Sequence, residues 1–348
     1  MRPKKALTFL VASIMVISLL AGCRMGKETP QTPGDDAQAK ATYAFVAKDV
    51  QNPYMQKVFE GFKEACDEIG ATALYKGPEV ATPEKQIEII NQLVAQKVSG
   101  IAIAANDADA LQPALQEAMN AGISVISLDS AVNKDSRQTH IQQADPEKIG
   151  RSLIQAAHEM VDGEGGIAIL SATAQATNQN LWIEWMKKEL EENKEKYSKT
   201  PLVKIAYGDD DPTKSTSETQ ALLTDPSIKI IIAPTTVGML AAGKVLQDKK
   251  SNVKLTGLGL PSEMAPFIED GTCPWMYLWN PVDIGYLSGY AINALHTDKI
   301  TGKVGDTFAA GELGQKTVTA DPANGTEVML GDPFKFDSEN IADWKDVY

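Results

Sequence analysis

Arginine is almost missing from this chain: apart from Arg2, its 348 residues hold only Arg24, Arg137 and Arg151. Phosphate and carboxylate ligands are usually held by a bidentate guanidinium, so the scarcity argues for an uncharged ligand. Histidine is as sparse, and His140, His158 and His296 are scattered with no paired-histidine metal motif. No GxSxG nucleophile elbow and no P-loop occurs. The run Gly257-Leu258-Gly259-Leu260-Pro261-Ser262 lacks the third glycine of a dinucleotide fingerprint and comes late in the chain. The expectation is a binding protein and not an enzyme, with no metal and no cofactor. Positive charge is also short, with 33 Lys and Arg against 46 Asp and Glu. Such an acidic surface speaks against nucleic acid and anionic lipid as partners.

After the first 22 residues no segment is apolar for long enough to cross a bilayer. Residues 1–22 themselves read as a secretory leader, with Arg2, Lys4 and Lys5 in a basic start and an apolar run from Ala6 to Leu20. That run is shorter than the roughly 20 residues of a spanning helix, which favours a cleaved leader over an uncleaved anchor. It ends in Leu20-Ala21-Gly22-Cys23, which resembles the lipobox of bacterial lipoproteins and implies lipid on Cys23. Residues 23–40, polar and rich in Gly, Pro and Gln, read as a flexible linker unable to bury enough surface to order itself. Removing the leader leaves 30 basic against 46 acidic residues, a net charge of −16. Cys66 and Cys273 then remain; one bridge between them is the alternative to two separate buried thiols, the expected state.

The following stretch of about 310 residues exceeds one typical domain and predicts two. Apolar runs of strand length alternate with segments of helical spacing. Strands are expected at Thr42–Ala47, Ala73–Tyr75, Gly100–Ala104, Ser124–Leu128 and Gln138–Gln142, separated by helices at Tyr54–Ile69, Pro83–Ala95 and Ala108–Ala121. A second series follows, with strands at Gly166–Leu170, Leu202–Ala206, Ile228–Ala233, Val253–Leu258 and Trp275–Trp279. Its helices are expected at Pro146–Val161, Ile183–Leu190, Lys214–Leu223, Val237–Gln247 and Ser262–Glu269. Asn280-Pro281, with Asp283 in the first turn, opens a further helix. Two βα series in tandem imply an α/β fold with two doubly wound parallel sheets and a ligand pocket between them.

In such sheets small ligands bind outside the carboxyl ends of the strands, so the loops there carry the candidates. Residues 172–182 are expected to be a strand-to-helix loop presenting Thr177, Asn178, Gln179 and Asn180, whose amides and hydroxyl both donate and accept. Helix capping by Thr177 or Asn178 is the competing reading, and one residue can serve both. The other loops offer Lys48 to Tyr54, Asp129-Ser130, Pro234-Thr235-Thr236 and Trp279-Asn280. Singly, each has an ordinary structural account; their shared placement at strand ends points to a pocket.

These residues resemble, over essentially the whole chain after the leader, the type I periplasmic binding proteins of ABC sugar importers, in the branch of rhamnose-binding proteins and autoinducer-2 receptors. The resemblance rests on Gln86–Asn91, Ala105–Leu111, Ser127–Ser130, Thr177–Trp182, Ala233–Gly238, Gly257–Ser262 and Leu278–Pro281. It implies ligand contacts at Lys48, Asp129, Asn178, Gln179, Pro234, Thr236 and Asn280, while the residues themselves offer Tyr54, Trp182 or Trp279 to cover an apolar face of the ligand. Lys48, Asp129, Gln179 and Pro234 match the autoinducer-2 pattern, whereas Asn178, Thr236 and Asn280 look more like the rhamnose-binding members. It further implies domains of 41–143 plus 281–302 and 144–280 plus 303–348 joined by three hinge crossings. The expected protein is a monomer, exported and lipid-anchored at the outer face of the cell membrane or periplasmic. It would capture a neutral sugar-like ligand by hinge closure and deliver it to permease subunits. A sugar-responsive regulator of the same architecture would need a DNA-binding segment where the leader stands.

Overall fold

The computed structural model describes residues 40–321 and 325–348; the leader, Cys23 and the linker up to residue 39 lie outside them. The first βα series comprises β1 (Thr42–Val46), α1 (Pro53–Glu68), β2 (Thr72–Lys76), α2 (Pro83–Gln96), β3 (Gly100–Ile103), α3 (Gln112–Asn120), β4 (Ser124–Leu128) and β5 (Thr139–Ala144). The second runs through α4 (Pro146–Met160), β6 (Gly166–Ser171), α5 (Thr177–Glu192), β7 (Leu202–Tyr207), α6 (Pro212–Leu222), β8 (Ile228–Ala233), α7 (Thr236–Asp248), β9 (Lys254–Gly257), α8 (Pro261–Glu269) and β10 (Trp275–Leu278). Then come α9 (Pro281–His296), β11 (Thr307–Ala309), β12 (Gln315–Thr317), β13 (Thr319–Asp321), β14 (Gly325–Gly331), β15 (Phe334–Asp337) and α10 (Ile341–Trp344).

Four helices begin at an Asn-Pro or Asp-Pro pair. Asn52, Asp145, Asp211 and Asn280 each accept backbone N–H groups of the first turn, and the following proline has no N–H to lose. The helix expected from Ala108 starts only at Gln112, because the Asp107 carboxylate bonds the amides of Asp109 and Ala110 and holds a turn there. Similarly, Thr177–Trp182, expected as loop, already forms the first turns of α5.

The larger sheet has the order β13-β14-β5-β4-β3-β1-β2, parallel except where β13 meets β14. Its strands are buried on both faces: Tyr43 and Phe45 of β1 pack in one core cluster, and Ala44 and Val46 pack in another. The second sheet is parallel with order β7-β6-β8-β9, and a single bridge from Leu258 to Tyr277 joins its edge to the antiparallel pair β10 and β15. On the first sheet, α1 lies directly against α9. A Cβ on Gly285 would come 1.7 Å from the carbonyl oxygen of Val58, so only glycine permits this approach.

One boundary departs from the sequence reading. Residues 303–331 were expected with the second domain, yet β14 pairs with β5 and extends the first sheet. Edge strand β5 would otherwise present an unpaired row of backbone groups. The chain therefore passes between the sheets at β5 to α4, at β10 to α9, and at β14 to β15. Cys66 and Cys273 are separate, buried thiols, as expected, and burial pushes the Cys66 thiol up to about 12. No helix among the described residues is long and apolar enough to cross a membrane.

Candidate functional site

The carboxyl ends of the two sheets face each other, and side chains from both meet. Lys48 follows β1, Asp129 follows β4, and Asn178 lies in the first turn of α5. The Lys48 Nζ stands 3.3 Å from an Asp129 carboxylate oxygen and donates to Asn178 Oδ1 at 3.3 Å. Asn178 in turn donates to Asp129 at 3.1 Å, and its Oδ1 also accepts from Ser130 Oγ at 3.2 Å. All three are withdrawn from water, with Lys48 6 % exposed, Asp129 5 % and Asn178 7 %. Buried charges persist only when paired and hydrogen-bonded, and this triangle supplies both conditions. Asp129 sits at φ 58, a left-handed conformation that Asp tolerates better than most residues.

Around the triangle is a cavity of about 40 Å³, lined also by Tyr54, Gln179, Trp182, Asp210, Pro234, Thr236 and Trp279. Tyr54 accepts a hydrogen bond from Trp279 Nε1 at 2.7 Å. Burial and the neighbouring Asp129 carboxylate hold its phenol well above the usual range, so it stays a neutral hydroxyl. Gln179 has its Oε1 committed to Ser171 Oγ at 2.7 Å and Ala172 N at 2.8 Å, fixing the β6 to α5 loop. The Trp182 indole, 2 % exposed, has a buried Nε1–H with no hydrogen-bond partner among the described residues. A buried donor left unpaired is costly, and a ligand acceptor would satisfy it.

Of the eight residues picked from the sequence, seven line this cavity. Asn280 does not: its Oδ1 accepts from Val282 N at 2.9 Å and Asp283 N at 3.4 Å, capping α9. Conversely, sequence reasoning missed Asp210, in the loop after β7, as well as Met55, Leu258 and Leu278. The strand-end rule that found Asp129 applies equally to Asp210, but three successive aspartates at 209–211 look like a solvated acidic run. With Asp210 present the cavity carries two carboxyl groups and one ammonium.

Neither described arginine lines it. Arg151 bonds Glu147, Glu189 and Glu192, while Arg137 lies buried beside Ser127 and Asp321, where desolvation pulls it down to about 10. Among the described residues no cluster of His, Cys, Asp and Glu is placed to hold a metal ion. Next to the cavity, sharing Asn52 and Asp210 with it, opens a space of about 460 Å³ bordered by Asp49, Glu79, Asp209, Asp211, Glu263 and Lys244.

Two α/β units facing each other across a small cavity, with three chain passages between them, define the type I periplasmic binding protein fold. Residues 43–300 match the periplasmic binding protein domain, and the chain belongs to that family. It is similar to an ABC transporter solute-binding protein from Clostridium phytofermentas with bound L-rhamnose, at 47% identity and a TM-score of 0.86, over 89% of this chain and 99% of that one. It is also 26% identical over 261 residues to the D-allose-binding periplasmic protein of Escherichia coli, covering 72% of this chain and 82% of that protein. The fold alone is shared with LsrB from Clostridium saccharobutylicum in complex with AI-2, at 23% identity and a TM-score of 0.81, over 87% and 99%.

Proposed function

We propose that this chain is the solute-binding component of an ABC importer and captures a neutral polyhydroxylated sugar of the rhamnose type between two α/β domains. The observation that carries the reading is the Lys48, Asp129 and Asn178 triangle, which offers donors and acceptors within a few ångströms in a cavity without a guanidinium. Each sugar hydroxyl donates to a carboxylate or amide oxygen and accepts from the ammonium or an amide nitrogen. Trp182 and Trp279 offer apolar faces to the ring. The likeness to the L-rhamnose-bound protein supports the same ligand class.

The domains are 41–144 with 281–331, and 145–280 with 332–348. Closure about the three passages buries the ligand and forms the shape a permease engages, so binding and delivery share one equilibrium. Lipid on Cys23, following the leader, tethers the protein at the outer face of the membrane; Cys23→Ala releases it from the membrane fraction, and unchanged fractionation would refute the anchor. Ligand saturation is expected to lower the radius of gyration in small-angle scattering.

Autoinducer-2 is the second reading, favoured by Lys48, Asp129, Gln179 and Pro234. Asn178 and Thr236 speak for the sugar, while Asn280, whose Oδ1 caps α9, lies outside the lining of the cavity. Calorimetric titration of the purified protein with L-rhamnose and autoinducer-2 in parallel separates the two. Binding of neither would overturn the proposal. Recovery of a chemically altered sugar would make the protein an enzyme.

A further inference from the structure

We infer that Asp210 is a ligand-contacting residue, the second carboxylate of the site, which accepts a sugar hydroxyl from the side of the cavity opposite Asp129. The inference rests on the sugar reading above. Asp129 hangs from the first sheet, at the end of β4, and Asp210 from the second, at the end of β7. Asp210 borders the central cavity, the larger space beside it, and a small third cavity that it shares with Lys48 and Asn106. It therefore stands where these spaces meet.

The backbone there is unusual. Asp209 and Asp210 adopt left-handed conformations in succession, at φ 54 and φ 52, without a glycine between them. Such geometry persists only where its surroundings over-determine it, and it concentrates at ligand clamps. One determinant is visible: Thr235 Oγ1 donates to Asp210 Oδ1 at 2.5 Å. Thr235 is the residue preceding α7 and itself lines the cavity. The same bond orients the carboxylate and leaves Oδ2 without a hydrogen-bond partner among the described residues, an open acceptor at the wall of the cavity. Lys48 lies within electrostatic reach of this carboxylate as well as of Asp129. A neutral sugar suits that arrangement, since its hydroxyls can donate to an oxygen of either carboxyl group; burial raises the Asp210 carboxyl, with the Thr235 hydrogen bond and Lys48 opposing the rise.

A purely structural role, bracing Thr235 at the start of α7, is the alternative. Asp210→Asn separates the two. Asparagine keeps the side-chain shape, tolerates the left-handed conformation and still accepts from Thr235, but it replaces the free acceptor oxygen with a donor. Hydrogen bonds to charged groups are the strong ones, so D210N is expected to bind L-rhamnose about tenfold more weakly, with thermal unfolding of the sugar-free protein unchanged. Calorimetric titration of wild type and D210N with L-rhamnose and D-allose reads this out. If the wild type binds a sugar and D210N binds it equally well, the inference is wrong and the bracing role stands. If D210N weakens binding only because it unfolds at lower temperature, it is likewise wrong. If the wild type binds neither sugar, the sugar reading falls and takes this inference with it.

Discussion

Removing the Asp129 carboxylate tests the site and its energetics together. In Asp129→Ala the Lys48 ammonium, its side chain 8% exposed, loses the anion 3.3 Å away and keeps the Asn178 oxygen and the electrostatic influence of Asp210. Breaking a buried pair by deleting one partner costs about 3 to 5 kcal/mol, because the remaining charge stays desolvated. The retained amide contact places D129A near the low end, about 3 kcal/mol. A second contribution comes from the backbone: alanine at φ 58 adds about 1 kcal/mol over aspartate, a smaller effect than the orphaned charge. Urea denaturation reads the sum, and a loss of about 4 kcal/mol corresponds to a fall of roughly 8 to 16 °C in melting temperature for a domain of this size. The contributions separate by variant. D129N keeps the left-handed geometry and removes only the charge, while D129G relieves the backbone but still strands Lys48. Lys48→Met combined with D129N should recover part of the loss, since the ammonium is no longer stranded, although Asp210 then lacks its nearby cation. Sugar binding should fall tenfold or more in every one of these variants. Stability of D129A within 1 kcal/mol of wild type would refute the charge argument, as would additive effects of K48M and D129N.

Three further outcomes are expected. Burial pushes the Glu327 carboxyl on β14 up to about 7, with Asp321 adding to the rise and Arg137 opposing it. Its folded value lies above its unfolded one, so its favourable contribution is full below pH 4.5 and lost as pH rises toward 7. Allowing for partial solvent screening, Glu327→Gln should therefore stabilise the protein by about 1 to 2 kcal/mol at pH 8 and very little at pH 4.5; equal effects at both would contradict this. Gly285→Ala places a methyl group 1.7 Å from the Val58 carbonyl oxygen and should cost about 3 kcal/mol or more in chemical denaturation, as α1 and α9 are forced apart. Trp182→Phe removes an indole N–H that has no hydrogen-bond partner among the described residues. It should leave unfolding nearly unchanged and weaken L-rhamnose binding by about tenfold, whereas undiminished binding would mean that the N–H never meets the ligand.

The sequence by itself determined the alternation of strands and helices, because a strand buried on both faces reads as a short apolar run and an amphipathic helix as a 3.6-residue period. It determined several helix starts as well: Asn280-Pro281 was legible as a cap because capping is local chemistry. For the same reason Asn280 reads two ways, since a side chain that caps its own helix looks identical in sequence to one that reaches a ligand. Lys48, Asp129, Asn178 and Gln179 were found because strand ends are local features and ligands gather there. Only the tertiary structure decided which of the strand ends converge. Asp210 enters the cavity through the packing of β7 against β6, a non-local pairing that no window of residues records. The strand β14 joins the first sheet because β5 offers it an open edge, although 180 residues separate them, and this moves a whole segment from one lobe to the other. Short, solvent-flanked strands such as β11 to β13 carry little periodic signal, and their pairing partners, not their own side chains, make them strands.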